Sequence, residues 1–389
     1  MRVSTWLRPI RQWPQRRTPF EFGRRRRGKP RSPGETVAFD IIQAGNSISV
    51  EGDGIHIGFC VEGIELLPET DASFAVWGLL PIAMEEGFNI QINRPIDPQV
   101  AANAERLSRI WEMWVPSGYR CCSVSGMAGW YRAHRHRMPC IQLYSGGVDS
   151  TFAILKQPEP RERGYVLTVY GLDYRRGHGS EARFAKLIAK TDPLLERLNL
   201  QRLIVRTNAE RSPQKLTHGF TLAACTFLLS DLFEEAVIAA DLTEAEDMVA
   251  FPWGTNHITN RYLTGSDFTL RTDCIEVGRS EKLAAIVASE IGLPFLSCCR
   301  QESAFPENCG TCSKCVRTKS MLLVTMGSVP EIFVDNTVNE NLIEKLDLNN
   351  RFERAELFDL YHYAKQRGLE GKVPGLLRLI QECRYRKFD

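Results

Sequence analysis

The stretch IQLYSGGVDSTFAIL, residues 141–155, carries Ser-Gly-Gly-Val-Asp-Ser between two apolar runs. Two adjacent glycines let the backbone turn sharply and approach a ligand, because neither has a side chain to clash. A helix that starts here offers free amide hydrogens and the positive end of its dipole to an anion. The stretch predicts a phosphate-binding loop or, as the alternative, a tight turn between a strand and a helix. The candidate phosphate-binding residues are Ser145, Gly146, Gly147, Val148, Asp149, Ser150 and Thr151.

Two further features define this loop chemically. The carboxylate of Asp149 could hold Mg²⁺ against phosphate oxygens, since Mg²⁺ prefers oxygen ligands. No Gly-Lys-Ser/Thr follows the glycines, which distinguishes the loop from a Walker motif.

The flanking sequence alternates short apolar runs with helical patterns. Strands are predicted at 139–145, 164–172, 201–208 and 236–241, and helices at 149–157, 179–199 and 219–235. Repeated strand–helix units are typical of an α/β fold with a parallel sheet and helices on both faces. Ligands of such folds bind at the carboxyl ends of the strands, which is where the sequence places the loop at 145–150.

The chain divides into three predicted regions. Residues 36–70 alternate polar and apolar side chains around Gly-Asn and Asp-Gly pairs, as antiparallel hairpins do, and helices are expected at 72–86 and 97–115, the second capped by Asp97. We therefore expect an accessory N-terminal α+β domain at 1–135. The repeated units make a core domain at 136–325, and 326–389 is a helical segment with no chemical motif of its own.

The N-terminal arm is strongly basic. Residues 1–35 hold eleven Lys and Arg residues against two Glu residues, although the whole chain has a formal net charge of only +2. Such an arm either binds nucleic acid or an acidic protein surface, or it is a solvated tail. The charge pattern does not distinguish binding from the solvated tail. No apolar stretch of about 20 residues could span a bilayer and no secretory signal is present, so we expect a cytoplasmic protein without a membrane partner. A homodimer is possible, but the sequence does not decide the oligomeric state.

Five of the twelve cysteines fall in one window, SCCRQESAFPENCGTCSKC. Four thiolates at such spacing typically enclose one structural Zn²⁺. An iron–sulfur cluster and catalytic thiols are the alternatives. Adjacent residues on an extended strand point to opposite faces, so the sequence does not decide which of the first two cysteines is the fourth ligand. The candidates are Cys298, Cys299, Cys309, Cys312 and Cys315.

Residues 145–150 match in full the Ser-Gly-Gly-x-Asp-Ser motif of the PP-loop ATP pyrophosphatases, which the chain resembles. In that family of adenine nucleotide alpha hydrolase-like folds, the loop grips the pyrophosphate of ATP. The resemblance implies ATP and Mg²⁺ as cofactors and adenylation of a carboxyl or carbonyl oxygen. Asp149 would hold the metal, while Ser145 and Ser150 would join the loop amides on pyrophosphate.

The loop and the cysteine window together resemble the 7-cyano-7-deazaguanine synthases, the QueC family, over 136–325. These enzymes adenylate 7-carboxy-7-deazaguanine and use ammonia to form a nitrile. Tyr170 and Gly171 match the position where adenine would lie. Arg279 and Lys282, in GRSEK, are candidate catalytic contacts to phosphate or adenylate, or else a solvated helix start.

Two departures separate the chain from the compact synthases. The Tyr-Pro-Asp-Cys-Arg stretch is replaced, which leaves Trp253 and Asp273 as candidates for binding the base, or as an ordinary core Trp and capping Asp. The added N-terminal region resembles the QueC-like proteins of antiviral defence islands. That resemblance implies an ATP-dependent carbon–nitrogen ligase that joins the deazaguanine carboxylate to a partner protein's amine.

Three rival functions remain at the level of sequence. The first is the nitrile-forming synthase itself. The second is a tRNA-modifying adenylase, motivated by the basic arm. The third is a non-enzymatic nucleotide-binding scaffold, which the complete Ser-Gly-Gly-Val-Asp-Ser makes the least favoured.

Overall fold

The computed structural model describes residues 32–68, 71–130, 136–156, 164–174, 179–209, 216–344 and 346–385. Most of the basic arm, residues 1–31, lies outside these ranges. The described chain is a mixed α/β protein with one ten-stranded sheet and twelve α-helices.

The sheet is mostly parallel, as the repeated strand–helix units predict. Its strand order is β10-β9-β6-β7-β8-β3-β2-β1-β4-β5, and only the β1–β2, β2–β3 and β3–β8 pairs are antiparallel. The strands are β1 Thr36–Ala44, β2 Ser47–Gly52, β3 Ile55–Glu62, β4 Asn89–Pro95, β5 Val124–Met127, β6 Met138–Leu143, β7 Gly164–Tyr170, β8 Leu200–Thr207, β9 Phe233–Ala239 and β10 Leu270–Asp273.

The predicted hairpins are confirmed in β1–β3. Asp53 and Gly54 both have positive φ, 43° and 74°, between β2 and β3, as a two-residue hairpin turn matching the twist of the strands requires. β4 and β5, which extend this end of the sheet, were not predicted. The alternation in NIQIN at 89–93 is the signal that could have revealed β4.

The helices agree with the predicted patterns in most places. Asp97 caps its helix by accepting from the N–H of Gln99, and Pro98 is the first helical residue. The helices are α1 Ser73–Glu86, α2 Pro98–Trp114, α3 Val148–Lys156, α4 Ser180–Arg197, α5 His218–Phe227, α6 Glu244–Ala250, α7 His257–Asn260, α8 Arg279–Ala288, α9 Ser313–Met326, α10 Glu340–Ile343, α11 Arg351–Gln366 and α12 Leu376–Tyr385.

The helix predicted at 219–235 is too long. α5 ends at Phe227 and β9 already begins at Phe233. Fifteen of the 21 residues from 220 to 240 are apolar, and a buried helix cannot be told from a buried strand by periodicity in such a run.

The N-terminal elements share a core with the repeated units. Trp77 of α1 is fully buried and its ring lies parallel to that of Phe220 of α5, with 6.4 Å between centroids. One buried cluster joins residues 37–124 to residues 141–270, and β3 is hydrogen-bonded to β8. The domain boundaries at 135 and 325 stay predictions.

A second core contains buried residues of α3, α8, α9 and α11. In this core α8 contacts both α3 and α11. None of the helices in the described ranges is long and apolar enough to cross a membrane.

Candidate functional site

A cavity of about 350 Å³ opens at the carboxyl ends of β6, β7 and β9. Residues that immediately follow these strands line it, among them Ser145, Leu172 and Asp241. Its volume lies in the range of small-molecule sites. Its position agrees with the rule that open α/β sheets bind ligands beyond their strand ends.

The loop between β6 and α3 is held by its own hydroxyls. Ser150 Oγ accepts from the N–H of Ser145 at 3.2 Å and lies 3.2 Å from Ser145 Oγ. Ser145 Oγ in turn accepts from the N–H of Gly147 at 3.3 Å. Gly146 has φ +76°, and a Cβ there would lie 3.1 Å from Thr191 Cγ2. The conformation therefore requires glycine at 146.

The loop faces the cavity with four of its predicted residues. Ser145, Gly147, Asp149 and Ser150 line the wall, at the start of α3, whose first amides have no partner within the helix. Val148 and Thr151 are fully buried. This arrangement presents hydroxyls, amide hydrogens and a helix dipole to an anion.

Asp149 is paired with two buried cations. Its Oδ1 lies 3.2 Å from Lys282 Nζ and its Oδ2 lies 3.2 Å from Arg279 Nη2. Lys282 is fully buried and also donates to the carbonyl of Ala240 at 2.7 Å. Burial alone would lower the pKa of Arg279, but the carboxylates of Asp149, Glu356 and Asp241 outweigh it and raise that pKa. Arg279 therefore stays charged beside the loop.

The C-terminal segment contributes to the same site. Glu356 of α11 is 1% exposed and ion-pairs with both Arg279 and Arg317. Glu353, one turn earlier, lies 3.2 Å from Arg317 Nη1 and accepts from Ser313 Oγ at 2.7 Å. The segment at 326–389, in which the sequence shows no chemical motif, therefore supplies carboxylates to the cavity and to Arg279.

An aromatic wall completes the cavity. The ring of Trp253 lies 4.3 Å from that of Phe352, at 31°, and its indole N–H donates to Asp241 Oδ2 at 3.3 Å. The structure therefore brings Trp253 to the predicted site. Phe352 and Asp241 were missed; for Asp241 the signal was a carboxylate at the carboxyl end of the predicted strand AVIAAD.

Besides Gly146, Val148 and Thr151 of the loop, four predicted contacts do not reach the cavity lining as far as the chain is described: Tyr170, Gly171, Asp273 and Lys282. Tyr170 packs edge-on against Phe184, with 5.1 Å between centroids. A Cβ at Gly171 would lie 2.2 Å from the carbonyl oxygen of Thr207, so close packing already requires this glycine. Lys282 lies behind Asp149.

The carboxylate of Asp273 has local partners instead of the cavity. It accepts from the N–H of Cys274 at 2.9 Å and lies 3.7 Å from Arg271. These contacts are local to the end of β10, and the base-binding role of Asp273 stays a prediction.

Four cysteine sulfurs converge next to the cavity. The Sγ atoms of Cys299, Cys309, Cys312 and Cys315 all lie within 4.8 Å of one another. Cys299 and Cys312 are 3.8 Å apart, and Cys309 and Cys315 are 3.9 Å apart. A tetrahedron with Zn–S bonds of about 2.3 Å has S–S edges of roughly 3.8 Å. The cluster therefore fits a metal ion such as zinc.

The structure also separates the two adjacent cysteines. Cys299 Sγ belongs to the cluster and accepts from the N–H of Gln301 at 3.3 Å. Cys298 instead packs on Asn308, with its sulfur 3.3 Å and its amide nitrogen 2.8 Å from Asn308 Oδ1. Cys298 is therefore excluded from the four-sulfur group, and Cys299 is the fourth candidate ligand.

The chain matches no protein-family model, no curated protein and no solved structure. Its function is accordingly inferred from the motifs and from the geometry of the cavity.

Proposed function

We propose that the chain is an ATP-dependent ligase that adenylates a carboxylate, releases pyrophosphate and joins the acyl group to an amine. The observation that carries this proposal is the Ser145–Ser150 loop, fixed by its own hydroxyls at the end of β6 and open to a cavity of about 350 Å³. The loop amides and the α3 N-terminus suit the pyrophosphate that leaves.

Arg279 is the cation best placed to act on the phosphates, because it lines the cavity beside Asp149. Its charge is kept in place by the carboxylates around it. Lys282 acts indirectly by holding Asp149. Fixed donors that need no reorganisation during the reaction stabilise developing negative charge effectively.

Mg²⁺ would be shared between ATP and the loop. Mg²⁺ sites commonly combine one or two carboxylates with substrate phosphates, and Asp149 offers such a carboxylate at the cavity wall. Each Asp149 oxygen already ion-pairs with one cation, so a remaining lone pair on each oxygen is what is left for the metal. Bound Mg²⁺ would neutralise phosphate charge.

The proposed acid is 7-carboxy-7-deazaguanine, which the resemblance of the loop and cysteine cluster implies. The aromatic wall of Trp253 and Phe352 supports a planar base. The proposed acceptor is the amine of a partner protein, and ammonia is the alternative.

In the first step, a carboxylate oxygen bonds to the α-phosphorus of ATP and pyrophosphate leaves. In the second, the amine nitrogen bonds to the carbonyl carbon and AMP leaves with the bonding electrons. The first step thus converts a carboxylate oxygen, which leaves poorly, into part of AMP, which leaves readily.

The test is acid-dependent exchange of labelled pyrophosphate into ATP. We expect exchange only when 7-carboxy-7-deazaguanine is present. Asp149→Asn should reduce the rate by at least 100-fold. The matched control is Asp192→Asn, because Asp192 also pairs with an arginine, Arg202, at 2.9 Å, but lies outside the cavity lining.

The outcomes separate the parts of the proposal. Exchange with other acids alone overturns the substrate, and a failure with every acid overturns adenylation. Intact-mass measurement after adding candidate partners, or ammonium, distinguishes a protein conjugate from a nitrile product.

A further inference from the structure

His218, Thr255 and Asp241 form a hydrogen-bonded chain in the cavity wall. His218 Nε2 lies 3.0 Å from Thr255 Oγ1, which donates to Asp241 Oδ2 at 2.7 Å. All three residues line the cavity. They come from three separate elements: the first turn of α5, the loop before α7 and the end of β9.

The positions of the hydrogens follow from what each group can do. An ionised carboxylate only accepts, so the single hydroxyl hydrogen of Thr255 belongs to the bond with Asp241. Thr255 Oγ1 must then accept from His218, which places a hydrogen on Nε2. In neutral His218 the lone pair is consequently on Nδ1.

Nδ1 of His218 is buried and has no hydrogen-bond partner within the described residues. A neutral imidazole with one nitrogen anchored and the other free has the form of a general base. Asp241, reached through Thr255, would stabilise the imidazolium that results. The indole of Trp253 also donates to Asp241 and helps to fix the carboxylate.

We propose that His218 is the catalytic base that takes the proton from the attacking amine. This inference rests on the proposed function, because it requires an acyl adenylate. As the amine nitrogen bonds to the carbonyl carbon, its proton moves to His218 Nδ1, and the bond to AMP breaks with its electron pair on AMP. The imidazolium then returns its proton to water after the product leaves.

The half-reactions separate this role from adenylation. His218→Gln keeps a side-chain N–H for Thr255 but removes the base. With ammonium or a peptide carrying a free α-amine as acceptor, we expect the ratio of amide formation to pyrophosphate exchange to fall by about 100-fold or more, the usual contribution of a general base.

Hydroxylamine is a stronger nucleophile than an ordinary amine of the same basicity, and its adduct with the carbonyl gives up its proton readily to water, so its attack does not depend on a positioned base. The ratio of hydroxamate to exchange in His218→Gln should therefore remain that of the wild type. A merely structural role for His218 would lower both products together.

A second pair of variants tests the same role in case His218→Gln does not fold. Thr255→Val breaks the chain and should lower the amide-to-exchange ratio, whereas Thr255→Ser keeps the hydroxyl and should rescue it.

The proposal is overturned if His218→Gln retains the wild-type amide ratio, if hydroxamate falls in parallel, or if Thr255→Val equals Thr255→Ser. A wild-type protein that exchanges pyrophosphate but makes no amide with either amine also overturns it. A wild-type protein without exchange instead overturns the proposed function itself.

Discussion

Replacing Glu356 by Gln tests whether α11 is held at the cavity by buried charge. Glu356 is 1% exposed, and the two arginines that it joins, Arg279 and Arg317, are 10% and 3% exposed. Breaking a buried ion pair costs about 3–5 kcal/mol, because a buried charge loses its partner. In Glu356→Gln, Arg279 still pairs with Asp149 and Arg317 still pairs with Glu353. We therefore expect the lower end, about 3 kcal/mol.

The expected decrease in melting temperature is this loss of unfolding free energy divided by the entropy of unfolding. At about 2.1 cal/mol/K per residue, a chain of 389 residues that unfolds as one unit should lose roughly 4 °C. Thermal unfolding followed by circular dichroism, with urea unfolding for the free energy, measures this change.

The matched control is Glu340→Gln. Glu340 pairs with Arg378 at 3.0 Å, but both side chains are about half exposed. Exposed pairs contribute about 0–1 kcal/mol, so the control should melt within about 1 °C of the wild type. If Glu356→Gln destabilises the protein no more than this control, the buried network does not hold α11.

Three further predictions concern the loop, the cysteines and pH. Gly146→Ala should reduce pyrophosphate exchange by at least 10-fold, because its φ of +76° and the contact with Thr191 distort the loop. Cys299→Ser should lose the bound zinc measured by metal analysis, whereas Cys298→Ser should keep it. Burial, with the nearby charge of Asp359, raises the pKa of Glu246 from 4.5 to about 7; wild-type stability should therefore fall between pH 4.5 and 7 by up to about 3 kcal/mol more than that of Glu246→Gln.

Each of these predictions has its own contradicting result. Gly327→Ala, at the end of α9, has nearly the same positive φ but nothing within 4 Å, so equal loss of exchange in both glycine variants would show general destabilisation and not distortion of the loop. Zinc loss in Cys298→Ser, or its retention in Cys299→Ser, contradicts the ligand assignment. As pH rises, Glu246 loses its proton at a lower pH in the unfolded state than in the folded state, so the folded state loses stability. If the free energy of unfolding in urea changes with pH equally in the wild type and in Glu246→Gln, the raised pKa is contradicted.

The sequence predicted the parts of the site that depend on local motifs. A Gly-Gly turn, hydroxyls and a carboxylate within six residues define the loop without reference to distant segments, and three cysteines at fixed spacing define most of the cluster. The choice between Cys298 and Cys299 needed the structure, because both residues lie outside any strand and the fold alone decides which sulfur turns toward Cys309 and Cys312.

The rest of the site depends on tertiary packing. Glu356 lies 77 residues from Arg279 in sequence, and a carboxylate on an amphipathic helix has no pattern that distinguishes a buried partner from a solvated one. His218 and Thr255 are equally ordinary in isolation. The base-binding role of Asp273 stays a prediction, and its carboxylate accepts from the N–H of the next residue, Cys274.

The most direct test of the central claim follows an oxygen atom. 7-Carboxy-7-deazaguanine labelled with ¹⁸O in its carboxylate is incubated with the protein, ATP, Mg²⁺ and an amine, and the phosphorus products are analysed by mass spectrometry. Adenylation predicts AMP that carries one ¹⁸O atom, because the attacking carboxylate oxygen leaves with AMP. Label in inorganic phosphate, or AMP without label, would contradict carboxylate adenylation at the Ser145–Ser150 loop.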